Sequence, residues 1–151
     1  MDIKISSNAR DIAKRVGKKG KELSDSVKRA LSRTAQAGVN IIEDRTAEGK
    51  GIDGAFRKYS PSYQKAKSSG WPKTDKRRGF GGDSTGIVNL SVHGTMLGSM
   101  TTRANGKQAE IFFTRATEAK KAERNNKTRP FFGFNRKEEN RLGQVFFRNL
   151  K

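Results

Sequence analysis

The stretch Met100–Thr114, MTTRANGKQAEIFFT, decides the fold class. An Asn-Gly pair sits between two segments with strand composition. A two-residue type I′ turn needs positive φ at both central positions, which Asn and Gly tolerate best. The stretch therefore predicts a β-hairpin turning at Asn105-Gly106. In its second strand Glu110 and Phe112 face one side, Ile111 and Phe113 the other. Phenylalanines on both faces predict a hairpin covered twice, by a helix of its own chain and by something else.

Helical patterning flanks the hairpin. From about Asn8 to Ala47 the chain reads as helix, with Leu23, Val27, Ala30, Leu31, Ala35, Gly38, Ile41 and Ile42 recurring at three and four. Gly17 and Gly20 each weaken the upstream part by about 1 kcal/mol relative to Ala. A firm helix is thus expected from near Glu22, ended by the run Glu48-Gly-Lys-Gly51. Downstream, IVNLSV (87–92) is compatible with a strand, GTMLGSM (94–100) with a short helix or turn, and ATEAKKAER (116–124) with a short helix. The last helix is the best marked. Asn135 is its predicted N-cap and Glu138 the residue of a near capping box. Leu142, Val145, Phe146 and Leu150 make its apolar stripe.

Residues 49–86 are of another kind, rich in Gly, Ser, Lys and Arg. Ser60-Pro61 predicts a helix start running to about Lys67. Beyond it, SSGWPKTDKRRGFGGDSTG carries loop signals and no periodicity, so an extended basic loop is expected, partly disordered until assembled. From Arg57 to Arg78 the chain holds Arg57, Lys58, Lys65, Lys67, Lys73, Lys76, Arg77 and Arg78 against Asp75 alone, with Tyr59, Tyr63, Trp71 and Phe80 interleaved. Such a mixture grips nucleic acid through phosphates and stacking. It equally fits aromatics that pin the loop while the cations meet acidic protein.

The whole chain has the same bias. Its 151 residues hold 33 Lys plus Arg against 15 Asp plus Glu, a net charge of +18 and a pI near 10.7. That excess is larger than solubility requires and points to a polyanionic partner or an acidic assembly surface. Apolar residues are only 32 %, a thin core for one domain. With no cysteine there is neither disulfide nor thiolate metal site. The first residues contain no signal-like apolar run, and no 18-residue apolar stretch occurs, so a protein made in the cytoplasm without a membrane helix is expected. His93 is the single histidine and has no ligand-spaced partners. GKKGKE and GFGGDSTG lack the spacing of a phosphate loop. No cofactor, metal site or catalytic residue is predicted.

Four fragments occur in a recognisable order: YSPSYQKAKSSG (59–70), NLSVHGTMLGSM (89–100), the hairpin, and RPFFGFNRKEENRL (129–142). Together they resemble the phage virion-morphogenesis or tail-completion family, among the head–tail joining neck proteins of tailed bacteriophages. His93 stands where a threonine is usual in that pattern. The resemblance implies a structural, non-enzymatic virion protein at the head-proximal end of the tail. It would form a ring of six or twelve copies between connector or adaptor and tail terminator or tail tube, around the DNA path. It also implies one α+β domain over 1–151: a long N-terminal amphipathic helix on a small antiparallel sheet, a C-terminal helix, a long basic loop (49–86) and a flexible lead-in (1–21).

On this view the aromatic turn gains a second role. Pro130 sets its direction and Gly133 its tightness. Three phenylalanines bury about 450–750 Å² together, more than so short a turn hides in a thin core. Phe131, Phe132 and Phe134, with Phe112 and Phe113 of the hairpin, are therefore the expected partner interface. The cations of 57–78 are expected to face either packaged DNA, without reading its sequence, or an acidic neighbouring ring. The other class to weigh is a small basic nucleic-acid-binding protein of ribosome-associated type.

Overall fold

A computed structural model describes residues 1–6, 20–68, 87–90 and 94–150. The fold is α+β. The elements are β1 (Ile3–Ser6), α1 (Gly20–Ala47), β2 (Lys50–Gly51), β3 (Gly54–Ala55), α2 (Pro61–Ser68), a 3₁₀ turn (Leu97–Ser99), β4 (Met100–Ala104), β5 (Gln108–Phe113), α3 (Ala116–Thr128) and α4 (Arg136–Asn149). No helix among the described residues is long and apolar enough to cross a membrane.

The chain forms two compact units. The first comprises Asp2–Ile41, Thr101–Phe112 and Phe134–Lys151. Its sheet has the order β1-β5-β4, with β1 antiparallel to β5 and Ile3 opposite Ile111. β5 is the middle strand, which is why it carries apolar residues on both faces. Val27, Ala30, Leu31, Ala35 and Val39 of α1 are buried, as are Ala109, Ile111, Leu142 and Phe146. Gly38 lets α1 approach closely. A Cβ there would stand 2.8 Å from the Phe134 ring and 2.9 Å from the Ile111 side chain. At the start of α4 the capping box is complete: the Asn135 side chain accepts from the Glu138 N–H, and Glu138 accepts from the Asn135 N–H.

The second unit comprises Ile42–Met100 and Phe113–Gly133, with Met1. Ile42, Phe56, Val88, Leu90, Met96, Leu97, Phe113, Ala122, Phe131 and Phe132 are its buried apolar side chains. Phe132 stands between two rings, 5.1 Å from Phe113 and 6.1 Å from Phe131 by centroid. The short β2–β3 pair sits against the turn 129–133, with the Ile52 N–H donating to the Pro130 carbonyl.

Several expectations need correction. The hairpin does not turn through two residues. Asn105–Lys107 separate the strands, and neither Asn105 nor Gly106 has positive φ. Instead the Asn105 carboxamide accepts from the Lys107 and Gln108 N–H groups, so a side chain does the work of the turn. Residues 87–90 form no strand, and 91–93 lie outside the described residues. The lead-in begins with strand β1. The third helix runs to Thr128, past the expected Arg124. Of the expected loop 49–86, the described part, 49–68, holds β2, β3 and α2.

Gly51 shows how tightly the turn is held. A Cβ there would overlap the Pro130 carbonyl oxygen and lie 2.7 Å from the Phe56 ring, whereas one at Gly98 would meet nothing within 4 Å. Gly51→Ala is expected to lower the unfolding free energy in urea by about 1–3 kcal/mol, because the clash is with backbone. Gly98→Ala is expected to stay within about 0.5 kcal/mol of the parent.

Candidate functional site

The second unit contains the densest set of basic and aromatic side chains bonded to each other, around Tyr59 and Arg129. α2 positions its first half. Ser60 caps the helix, its hydroxyl accepting from the Tyr63 N–H, and Pro61 opens the first turn. Tyr59 precedes the cap, and its ring lies 4.8 Å from that of Tyr63. The Tyr59 hydroxyl accepts from the Leu90 N–H at 3.1 Å. Leu90 has φ of 52°, the left-handed region that a leucine rarely enters, so this bond holds a strained residue in place.

Two cations border the Tyr59 ring: Lys67 Nζ at 5.1 Å and the Arg129 guanidinium at 4.9 Å from its centroid. Lys67 is buried and donates to the Asn89 side-chain oxygen at 2.6 Å. Among the described residues no carboxylate is bonded to it; an amide and a π face support the charge. Burial accordingly holds the Lys67 ammonium below the ordinary lysine range. The same burial raises the Tyr59 phenol above the ordinary range, partly offset by the Leu90 bond and Arg129. Arg129 forks onto backbone, donating to the Arg57 and Lys58 carbonyls at 2.9 and 3.2 Å.

The turn after Arg129 is clasped from two sides. The Asn126 carboxamide oxygen accepts from the N–H groups of both Phe131 and Phe132, each at 2.9 Å. Arg45, buried in the last turn of α1, donates to the carbonyls of Phe131 and Gly133 at 2.6 and 3.0 Å. Neither Arg45 nor Asn126 was singled out by sequence. For Arg45 a signal existed: it continues the buried stripe of Ile41 and Ile42 by three and four residues, where a cation must be satisfied internally.

The proposed interface residues thus separate. Phe131 and Phe132 are 0 % and 6 % exposed, and Phe113 is buried, so these three fill their own unit's core and present nothing to a neighbour. Of the three rings of the turn, Phe131 and Phe132 are hidden, with Phe113 packed on Phe132, and Phe134 keeps part of its surface exposed. Phe112 and Phe134 are partly exposed, Phe112 with the Arg103 guanidinium 5.0 Å from its centroid. Of the predicted cations, Arg57, Lys58 and Lys65 are exposed. Lys67 is not, and leaves the set available to DNA or acidic protein. Lys73, Lys76, Arg77 and Arg78 lie outside the described residues, as do Trp71, Phe80 and His93.

Chemically, the junction holds charge and aromatic surface in fixed register. Among the described residues no three His, Cys, Asp or Glu side chains gather as a metal would need. No protein-family model matches the chain, and neither curated proteins nor solved structures give a match.

Tyr59→Phe removes the acceptor for Leu90 and is expected to cost about 1 kcal/mol in urea unfolding at neutral pH. The pH dependence has a definite sign. A phenol raised in the folded state contributes stability that is fully present below the unfolded phenol pKa and is lost as pH rises through the folded one. The alkaline loss of stability should therefore be smaller in Tyr59→Phe. It should not vanish, because the Tyr63 phenol is raised by burial too.

Proposed function

We propose that this chain is a structural virion protein of a tailed bacteriophage. It completes the tail or joins head to tail at the neck, as a ring of six or twelve copies around the DNA path between connector and tail tube. One observation carries the reading beyond sequence resemblance. Those parts of the four fragments that fall in the second unit are fastened to one another there. Tyr59 and Lys67 of the first fragment bond Leu90 and Asn89 of the second. Ser99, in the second, accepts from the backbone and hydroxyl of Thr114 at the end of the hairpin. Arg129 of the fourth grips the carbonyls beside Tyr59. Chance matches to short motifs have no reason to converge. A set that interlocks supports a shared architecture.

The same observation supports a scaffolding role. Tyr59, Ser60, Thr114 and Arg129 each bond backbone through their side chains. The cations Arg57, Lys58 and Lys65 remain at the surface, available to DNA in the lumen or to an acidic neighbouring ring. Phe112 and Phe134 are the members of the expected interface that keep exposed ring surface for a neighbour.

Labelling through this protein in electron micrographs of purified virions tests the proposal. Label at the head-proximal end of the tail is expected. Absence from virions, with co-sedimentation on ribosomes, would sink the proposal and favour the small nucleic-acid-binding protein. Within the ring reading, Phe112→Ala is expected to leave the circular dichroism spectrum unchanged while lowering incorporation into particles about tenfold, the effect of a modest interface anchor. Unchanged incorporation would remove Phe112 from the interface.

A further inference from the structure

The exposed faces of α1 and α4, both within the first unit, carry an arrangement that the neck reading does not use. On α4, Lys137, Arg141, Gln144 and Arg148 follow at spacings of four, three and four, and all are exposed. That spacing sets them in one row along the helix, roughly 16 Å long at 1.5 Å per residue. On α1, Arg29 and Arg33 begin a row of the same spacing, continued by the uncharged Gln36 and Asn40. The two rows are joined, because Arg33 Nη1 donates to the Asn149 side chain at 2.6 Å. Among the described residues none of the five cations has an ion-pair partner. Asp25 lies one turn before Arg29 without pairing with it.

Beside the α4 row stands Phe147, 65 % exposed, the most exposed large apolar side chain among the described residues. Its neighbour Phe146 is buried and meets it edge-on at 5.5 Å, so Phe147 is propped outward. An aromatic ring held in water on a helix that also carries a row of cations is a surface feature that the fold itself does not use.

We infer that this face grips single-stranded nucleic acid, with the α1 and α4 cations on successive phosphates and Phe147 stacked on an unpaired base. Charge selects the partner class: five unpaired cations on a chain of +18 seek a polyanion. The other occupants fit worse. An anionic membrane surface would want several apolar side chains beside the cations, but Leu142 and Phe146 of α4 are turned inward. The centre of a protein interface is depleted in charge, whereas this ring stands on a helix whose adjoining exposed face is a row of cations. A duplex backbone would satisfy the cations yet leave the ring without a role; an unstacked base uses both. The inference goes beyond the neck reading and does not depend on it, since a monomer and a ring subunit would equally carry this face.

The test is fluorescence anisotropy of the full chain with a labelled oligothymidine of about 15 nucleotides, over a salt series. Arg141→Gln with Arg148→Gln is expected to weaken binding about tenfold or more. It should also reduce the slope of log K against log salt by about 1.4, two phosphate contacts at about 0.7 each for a single strand. Lys120→Gln with Arg124→Gln, on α3, removes the same charge elsewhere and is expected to change affinity less than about threefold. Phe147→Ala is expected to weaken the oligothymidine about tenfold while leaving a duplex of equal length unaffected. Circular dichroism confirms that each variant is folded. The inference is overturned by equal weakening from the two charge pairs, which means bulk attraction alone. It is also overturned by an unchanged Phe147→Ala, or by tighter binding to duplex or to anionic phosphatidylserine vesicles. None of these outcomes bears on where the protein lies in a virion, so the two proposals fail separately.

Discussion

Arg45 is the constraint on which the second unit depends. A guanidinium buried in the last turn of a helix is costly unless polar groups meet it. Here the turn 131–133 supplies that polarity, turning two carbonyls toward it. Asn126 meets the N–H groups of the same turn. Both the donors and the acceptors of an irregular, non-repeating backbone are therefore matched by side chains from two helices. That accounting is what permits the turn to be buried, since unpaired backbone in a core would cost about as much as a lost hydrogen bond per group. Once it is buried, Phe131 and Phe132 enter the core and the aromatic row with Phe113 follows. The sequence order Arg-Pro-Phe-Phe-Gly is then a mechanical device. Arg129 fastens outward to the 57–58 backbone, Pro130 redirects the chain, two rings anchor it, and Gly133 clears the Ile52 side chain.

What could be read beforehand was what is decided locally. The α4 capping box, the Ser60-Pro61 helix start and the buried stripe of α1 depend on residues within one or two turns of each other, and each was legible. The hairpin was legible in existence but not in its turn. The Asn-Gly pair admits two solutions, positive φ or a side-chain bridge, and Asn105 takes the second. β1 was illegible for a different reason. Ile3–Ser6 is too short to show a period, and its strand exists only through pairing with β5, about 105 residues away. Of the candidate site, sequence located the right fragments but misassigned the phenylalanines. Burial of Phe132 draws on non-local cover from Phe113, which composition averages away. Phe147, by contrast, falls outside the stripe Leu142, Val145, Phe146 and Leu150 set by helix phase, and it is exposed.

The placement of charge follows one rule throughout. Cations that enter the fold are given backbone carbonyls, amides or ring faces, as at Arg45, Arg129 and Lys67. Carboxylates that enter it are given cations, as Glu110 is by Arg103 and Lys4, and Glu118 by Lys121. Acidic side chains are the scarce partner in a chain of this composition, and the described core uses them sparingly. Neutralising the interior cations with carboxylates would have removed acids from the surface and raised the surface excess further. Using dipoles instead holds the interior cations without that cost.

The consequence reaches the surface. With the acidic residues outnumbered, the exposed cations of α1, α2 and α4 have few carboxylates to pair with, and isolated surface pairs would contribute little in any case. Such surface cations add little to the fold and contribute self-repulsion, a cost that a solvated and screened surface keeps small. The same logic distinguishes Lys67 from its exposed neighbours. Its charge is already accommodated by Tyr59 and Asn89, so it belongs to the scaffold, while Arg57, Lys58 and Lys65 lie at the surface.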